Sequence, residues 1–224
     1  MKRGILFLAG DFSHFPEDFH FLDTDFVIAA DGGYHHLIAT QRNPDMLLGD
    51  FDSLSTENRE LANQRGVHQA EWPVEKDQTD GEIAIRTAFA NGCSEVILFG
   101  CWGGDRVDHS IGNLMLLDLC YELGLQGVLH HQGENIMLCK PGVYKIKGRL
   151  GGMVSLITKS YEPCRISTEG LKYALQNGNL KKGSSTGISN QFFYDQAIIH
   201  VDQGEVWLIW TGELPNFEHQ ELVR

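Results

Sequence analysis

The sequence predicts an α/β protein in two parts: an N-terminal, mostly parallel sheet with flanking helices, then a C-terminal antiparallel β-sandwich. Three observations predict it. Short apolar runs at 5–9, 26–30, 46–48 and 95–99 each stop at a glycine or an acid, as buried strands do at a sheet's carboxyl edge. Segments with helix start and stop signals lie between them, which implies parallel neighbours joined by crossovers. From Gly133 onward the helical pattern gives way to short, often alternating runs separated by Gly, Pro and Asn turns. The domain boundaries follow as 1–132 and 133–224.

Taken in order, Ile5 to Ala9 forms the first strand and ends at Gly10-Asp11. It is too short and too soon interrupted by Asp11 for a secretion signal. Phe26 to Ala30 repeats the pattern and ends at Asp31-Gly32-Gly33, with a helix from Tyr34 to Gln41 broken by Asn43-Pro44-Asp45. The strand Met46-Leu47-Leu48 runs into Gly49-Asp50-Phe51-Asp52-Ser53, and Ser53 or Ser55 caps a polar helix over Thr56 to Gln64, stopped at Gly66. Val67 to Ala70 reads as an edge strand. Thr79 and Glu82 have capping-box spacing, so a helix starts there and runs to Asn91-Gly92. Glu95 to Phe99 is the next buried strand, followed by a glycine-rich turn and a helix carrying Ile111, Leu114, Met115 and Leu119, with Gly124 as its stop. In the second part, Asn135 to Cys139, Val143 to Lys147, Met153 to Thr158, Ala197 to Val201 and Val206 to Trp210 are strands. The hydroxyl-rich stretches Ser167–Tyr173 and Gly183–Asn190 read as turns between them.

A chain of 224 residues with 42% hydrophobic and 21% charged residues is an ordinary globular protein with ample core. Its net charge of −12 argues against a nucleic-acid surface, which needs clustered Lys and Arg. Five scattered cysteines without a CxxC pair fit neither a disulfide framework nor a zinc site, so a reducing cytoplasm is expected. No apolar stretch is long enough to span a bilayer.

Three stretches carry chemistry. Asp50 and Asp52 flank Phe51 at a strand's carboxyl end; close-set carboxylates repel, and an ionised pair wants a hard cation such as magnesium, although solvated acids at a turn would look the same. Lys76-Asp77-Gln78-Thr79-Asp80 places Asp77 in a loop and Asp80 in a first helical turn, where the helix dipole favours it with or without a ligand. Gly100-Cys101-Trp102-Gly103-Gly104-Asp105-Arg106-Val107-Asp108-His109 combines close backbone approach, an arginine fork and a helix start, which suits phosphate but is also common turn chemistry.

In order and across both parts, these segments resemble the thiamine pyrophosphokinase family. The matching pieces are Ala30–Gly33, Gly49–Ser53, Lys76–Asp80, Gly100–Asn113, Ser167–Leu175 and Gly183–Asn190. The resemblance implies an α/β domain for MgATP and catalysis over 1–132, a sandwich for thiamine and dimerisation over 133–224, and a homodimer with thiamine bound between domains and subunits. It implies magnesium on Asp50, Asp52, Asp77 and Asp80, and catalytic roles for Asp52, Asp77, Asp80, Arg106 and Asp108. ATP would be held by Asp31, Gly32, Ser53, Lys76, Thr79, Gly103, Gly104, His109 and Asn113. Thiamine would meet Thr168, Ser185, Ser189 and Asn190. The implied reaction passes a diphosphate from ATP to thiamine and releases AMP. The family pattern has arginine directly after Gly-Gly, whereas Asp105 intervenes here, and Tyr173 stands where a tryptophan often lies. Alternatives are a metal-dependent phosphohydrolase and a non-catalytic thiamine or nucleotide sensor.

Overall fold

A computed structural model of the chain describes residues 2–40, 42–51, 54–71, 77–215 and, as backbone only, 221–222. Asp52, Ser53 and Lys76 therefore lie outside the described residues. The chain forms two compact units, Met1–His14 with His20–Gln132, and Phe15–Phe19 with Gly133–Arg224.

The first unit runs β1 (Arg3–Phe7), β2 (Phe26–Ala30), a 3-10 turn (Asp31–Gly33), α1 (Tyr34–Ile38), β3 (Met46–Gly49), α2 (Thr56–Gln64) and β4 (Gln69–Glu71). It continues with α3 (Asp80–Ala90), β5 (Glu95–Phe99), α4 (Val107–Glu122) and β6 (Gln126–His131). Its strands lie in the order β6-β5-β1-β2-β3-β4, every pairing parallel. Ile5, Leu6, Phe7, Val27, Ile28, Leu47, Val96 and Leu98 are fully or almost fully buried, as expected of strands covered on both faces. The chain leaves β1 toward β2, β3 and β4, crosses back through α3, and then leaves β5 toward β6. Neighbouring β1 and β5 thus flank a topological switch point, where open α/β sheets bind ligands.

Local chemistry sets the helix limits. Ser55 Oγ accepts the Asn58 amide at 3.2 Å, and Thr79 Oγ1 accepts the Glu82 amide at 3.3 Å. The Glu82 carboxylate does not complete the capping box but accepts from Gln78 and Arg86, at 2.7 and 2.8 Å. Helix α1 stops at Ile38, short of Gln41, because Thr40 Oγ1 donates to the Leu37 carbonyl at 2.8 Å and diverts the last turn. Strand β6 carries no sequence signal of its own, since Gly127 and two histidines interrupt its apolar run.

The second unit comprises β7 (Glu134–Cys139), β8 (Gly142–Lys147), β9 (Met153–Thr158), β10 (Cys164–Glu169), β11 (Gly178–Leu180), β12 (Asn190–Gln191), β13 (Gln196–Gln203), β14 (Val206–Thr211) and β15 (Glu221–Leu222). Two antiparallel sheets result, in the orders β12-β9-β14-β7 and β11-β10-β13-β8-β15. Alternation places Tyr144, Ile146, Val154, Leu156, Ala197, Ile199 and Val201 inside, as a sandwich requires. Ser167-Thr168-Glu169 belongs to strand β10 rather than to a turn: its small hydroxyls hide a period-two burial that Cys164 and Ile166 begin. Trp207 and Trp210 are core residues, and Phe193 and Tyr194 are exposed. Phe15–Phe19 clusters with this unit through Asp18, which accepts the Leu214 amide at 2.9 Å, and Glu17, which pairs with Arg149 at 2.8 Å.

All five cysteines are free thiols in buried positions. Among the described residues no helix is long and apolar enough to cross a membrane.

Candidate active site

Beyond the ends of β1 and β5 the two segments stay side by side. The Leu8 amide donates to the Phe99 carbonyl at 2.9 Å, Gly10 to Gly100 at 2.7 Å and Asp11 to Trp102 at 2.8 Å. Gly10 is required here, because a Cβ would stand 2.6 Å from the carbonyl oxygens of both Gly100 and Trp102. Helix α4 holds the far loop. Ser110 Oγ accepts the Gly103 amide at 3.1 Å, and Asn113 Nδ2 donates to the Cys101 carbonyl at 2.9 Å. Gly103 and Gly104 take left-handed φ angles of 82° and 74°, which lets the loop turn tightly into the helix.

These loops enclose a cleft of about 310 Å³, lined by Leu8, Ala9, Gly10, Ala30, Asp31, Gln78, Thr79, Asp80, Gly81, Gly103, Gly104, Asp105, Arg106, His109 and Asn113. Of the residues singled out from sequence, Asp31, Thr79, Asp80, Gly103, Gly104, Arg106, His109 and Asn113 meet there. An adjoining groove of about 430 Å³ between α3 and α4 takes in Asp108 with Thr79, Glu82, His109, Gly112 and Asn113. Asp77 is exposed in the loop before α3, and neither it nor Gly32 lines the cleft. Asp50 follows β3, where Asp31 lies so close that a Cβ on Gly49 would stand 3.0 Å from the Asp31 Cβ. Phe51, buried beside Asp50, has a left-handed φ of 62°, and Asp31 one of 49°. Non-glycine residues in this region cluster at functional turns. The Leu8–Gly10 edge, Gln78 and Gly81 also line the cleft and were not singled out; Gly10, one residue past an apolar run that ends at the ligand-binding edge, was the available signal.

The electrostatics are mixed in a useful way. The amino ends of α3 and α4 both face the cleft, each presenting backbone amides and the positive end of its dipole. Arg106 precedes α4 and its position makes no side-chain cap. It grips Asp108 bidentately at 2.9 and 2.6 Å, and both side chains are about two-thirds exposed. The guanidinium holds the Asp108 carboxyl down to about 2 and Asp108 pushes the Arg106 pKa up, so both stay ionised at neutral pH. An acid that reluctant to bind a proton is a poor general base. Against these anion-receptive groups stand Asp31, Asp80 and Asp105. Among the described residues no three His, Cys, Asp or Glu side chains are grouped to hold a metal by themselves. The carboxylates present suit a hard cation that brings its remaining oxygen ligands with it, which is how magnesium binds alongside phosphates.

His36 of α1 braces the cleft from beneath. Its Nε2 is 2.9 Å from the Gly10 carbonyl and must carry the proton to bond there, while its ring lies 5.3 Å from that of Phe12. Burial, reinforced by the neighbouring His35 and opposed by the Gly10 carbonyl and Asp11, leaves the His36 pKa below its usual 6.5. As pH falls through 6.5 the unfolded chain therefore takes up this proton before the folded one, and stability is lost until the folded pKa is passed. The melting temperature of His36→Gln, which keeps an N–H donor, is expected to fall less between pH 7 and 5 than that of the parent. Parallel melting curves across that range would show that burial does not hold the His36 pKa below its usual value.

In the second unit, Thr168 is wholly buried in β10, and Ser185 and Ser189 are exposed. Ser189 has a left-handed φ of 62°, with its amide donating to Ser155 Oγ at 3.1 Å. Asn190 is buried in β12.

The fold and cleft define an α/β protein with an anion-receptive cleft at a sheet switch point, joined to a β-sandwich. Comparisons with known proteins make the class specific. A family model described as "Thiamin pyrophosphokinase, catalytic domain" matches residues 20–127, and another, "Thiamin pyrophosphokinase, vitamin B1 binding domain", matches residues 143–206. The thiamine pyrophosphokinase of Bacillus subtilis is 28% identical over 183 residues, covering 81% of this chain and 85% of that one. The crystal structure of thiamin pyrophosphokinase from Geobacillus thermodenitrificans superposes with a TM-score of 0.80 at 28% identity, covering 95% of this chain and 98% of that one. That from Bacillus subtilis gives a TM-score of 0.81 at 25% identity, covering 96% of this chain and 100% of that one. The chain belongs to the thiamine pyrophosphokinase family.

Proposed function

We propose that this protein transfers the terminal diphosphate of ATP to the hydroxyl of thiamine, giving thiamine diphosphate and AMP. The observation that carries the reading is the cleft at the β1–β5 switch point, where two helix amino ends and Arg106 meet Asp31 and Asp80 in a chain whose two parts both match this family. In the reaction an O–P bond forms between the thiamine oxygen and the β-phosphorus of ATP. The bond from that phosphorus to the bridging oxygen breaks, the bridging oxygen leaves with AMP, and the hydroxyl proton is released. Such a transfer depends on in-line placement and charge neutralisation rather than on a protein nucleophile.

ATP binding is assigned to Asp31, Thr79, Gly103, Gly104, His109 and Asn113 of the cleft, with Gly32 next to Asp31 and with Ser53 and Lys76, which lie outside the described residues. Arg106 and the start of α4 would take up phosphate oxygens as charge shifts toward the leaving AMP. Magnesium would be held by Asp50 and Asp80, with Asp52 and Asp77 completing the set, and it supplies neutralisation of the triphosphate charge. Asp108, which Arg106 keeps weakly basic, is poorly suited to deprotonate the alcohol. Thiamine falls to the sandwich, to Ser185, Ser189 and the segments that include Thr168 and Asn190. We place the protein in the cytoplasm as a homodimer, joined through the sandwich where Phe193 and Tyr194 are exposed. A monomeric mass by light scattering, at a concentration giving full activity, would exclude the dimer.

The deciding experiment is nucleotide chromatography after incubation with thiamine and MgATP. Thiamine diphosphate and AMP should appear in equal amounts. ADP matched to thiamine monophosphate would replace this reading with simple phosphoryl transfer. Phosphate formed without thiamine would indicate a hydrolase, and binding without turnover a sensor.

A further inference from the structure

The loop from Gly170 to Asn177, which joins β10 to β11, is tied at several points to neighbouring main chain and side chains. The Gly170 carbonyl accepts the Phe193 amide at 2.8 Å, and the Lys172 amide donates to Gln191 at 2.9 Å. Asn190 Oδ1 accepts the Tyr173 amide at 3.0 Å and its own neighbour's, Gln191, at 2.9 Å, while Asn190 Nδ2 donates to the Tyr173 carbonyl at 2.8 Å. Thr168 mirrors this at the other end. Its Oγ1 accepts the Leu175 amide at 2.9 Å, and its own amide donates to the Leu175 carbonyl, also at 2.9 Å.

Asn190 is 6% exposed and Thr168 0%, whereas Tyr173 between them is 61% exposed. A carboxamide offers two acceptor and two donor positions, and three of the four on Asn190 are already engaged by main chain. Its geometry is that of a strand partner for the Tyr173 peptide, replacing a ladder that the loop cannot form. The Tyr173 ring stands outward with Lys172 Nζ at 5.4 Å from its centroid, a face that accepts positive charge.

We propose that Asn190 and Thr168 are positioning residues, which clamp the Tyr173 and Leu175 peptides so that the Tyr173 ring is presented rigidly to the substrate, and that neither contacts substrate itself. This rests on the reading of thiamine as the acceptor. Fixing a loop before binding removes its ordering entropy from the affinity. Three properties follow. Loss of the clamp loosens the loop locally, weakens thiamine binding, and leaves ATP binding in the other unit unchanged.

The test pairs Asn190→Asp, which keeps the acceptor but turns the donor into a second carboxylate oxygen facing the Tyr173 carbonyl, with Thr168→Val, which keeps shape and loses the acceptor. Thr168→Ser retains the hydroxyl and serves as the conservative rescue. Amide hydrogen exchange at Tyr173 and Leu175 is measured by NMR beside KM for thiamine and for MgATP. Asn190→Asp is expected to speed exchange at Tyr173, and Thr168→Val at Leu175. Each should raise KM for thiamine about tenfold, the effect of one to two lost hydrogen bonds. KM for MgATP, and exchange at Ile199 of β13, should stay as in the parent, and Thr168→Ser should behave as the parent throughout. A raised thiamine KM with unchanged exchange would overturn the proposal in favour of direct contact. Faster exchange with unchanged KM would overturn it by removing the loop from recognition. Absence of thiamine turnover in the parent would instead refute the assigned reaction, and the exchange data would still decide whether the clamp exists.

Discussion

Arg106→Ala is expected to lower kcat by roughly 10²–10³ while leaving the fold intact, the loss typical when one preorganised donor to transition-state charge is removed. The two halves of that expectation have separate grounds. Arg106 is about two-thirds exposed, its partner Asp108 in the first turn of α4 is equally exposed, and such pairs add little to stability. Its value lies in what the guanidinium meets when triphosphate enters the cleft. A phosphate with two negative oxygens competes well with a single carboxylate for the same planar fork, so Arg106 can leave Asp108 for the ligand. Arg106→Lys restores the charge without the fork and should recover only part of the rate. Steady-state kinetics with MgATP check both variants against a melting curve. If Arg106→Ala turns over within a few-fold of the parent, the intervening Asp105 has turned the loop so that backbone amides alone serve the phosphates.

Most of the first unit is legible in the sequence because its strands are buried on both faces, and a run such as Ile5 to Ala9 ending in Gly10-Asp11 suits little besides a covered parallel strand. The convergence of Asp31, Asp80 and Arg106 is legible for a related reason. Each stands where an apolar run or a helix begins or ends, and parallel connectivity brings those ends to one edge. Strand β6 is not legible, since burial of His130 within it depends on neighbours that no local period announces. Nor is Thr168. Its hydroxyl composition reads as a turn, yet its role is to satisfy a loop peptide from inside a strand, which becomes visible only once Leu175 is known to lie against it. The roles of Gly10 and Gly33 belong to the same group. A glycine in sequence signals freedom, whereas here each is set by an approaching main chain.

That approach gives a large stability effect for a single methyl group. Gly33→Ala should destabilise the protein by about 3 kcal/mol, at the upper end for overpacking. In a domain of this size that lowers the melting temperature by roughly 10 °C. The backbone dihedrals offer no reason to expect it: the residue has φ −59° and ψ −21°, ordinary for alanine. Sterics decide instead. A Cβ at Gly33 would overlap the Phe7 carbonyl oxygen and stand 2.5 Å from its carbonyl carbon. Phe7 cannot retreat, because it is registered with Ala29 of β2 on one side and Phe99 of β5 on the other. The start of α1 must move, and with it Asp31 two residues earlier and the His36 bond to Gly10, so activity should fall along with stability. Gly104→Ala is the comparison. Nothing stands within 4 Å of its Cβ position, and its left-handed φ of 74° is the only obstacle. That strain amounts to about 1–2 kcal/mol. Thermal melts of the two variants therefore rank a steric collision against a dihedral penalty. If Gly33→Ala melts no lower than Gly104→Ala, the packing of the α1 start against β1 is not tight, and the cleft it supports is more yielding than its hydrogen bonds imply.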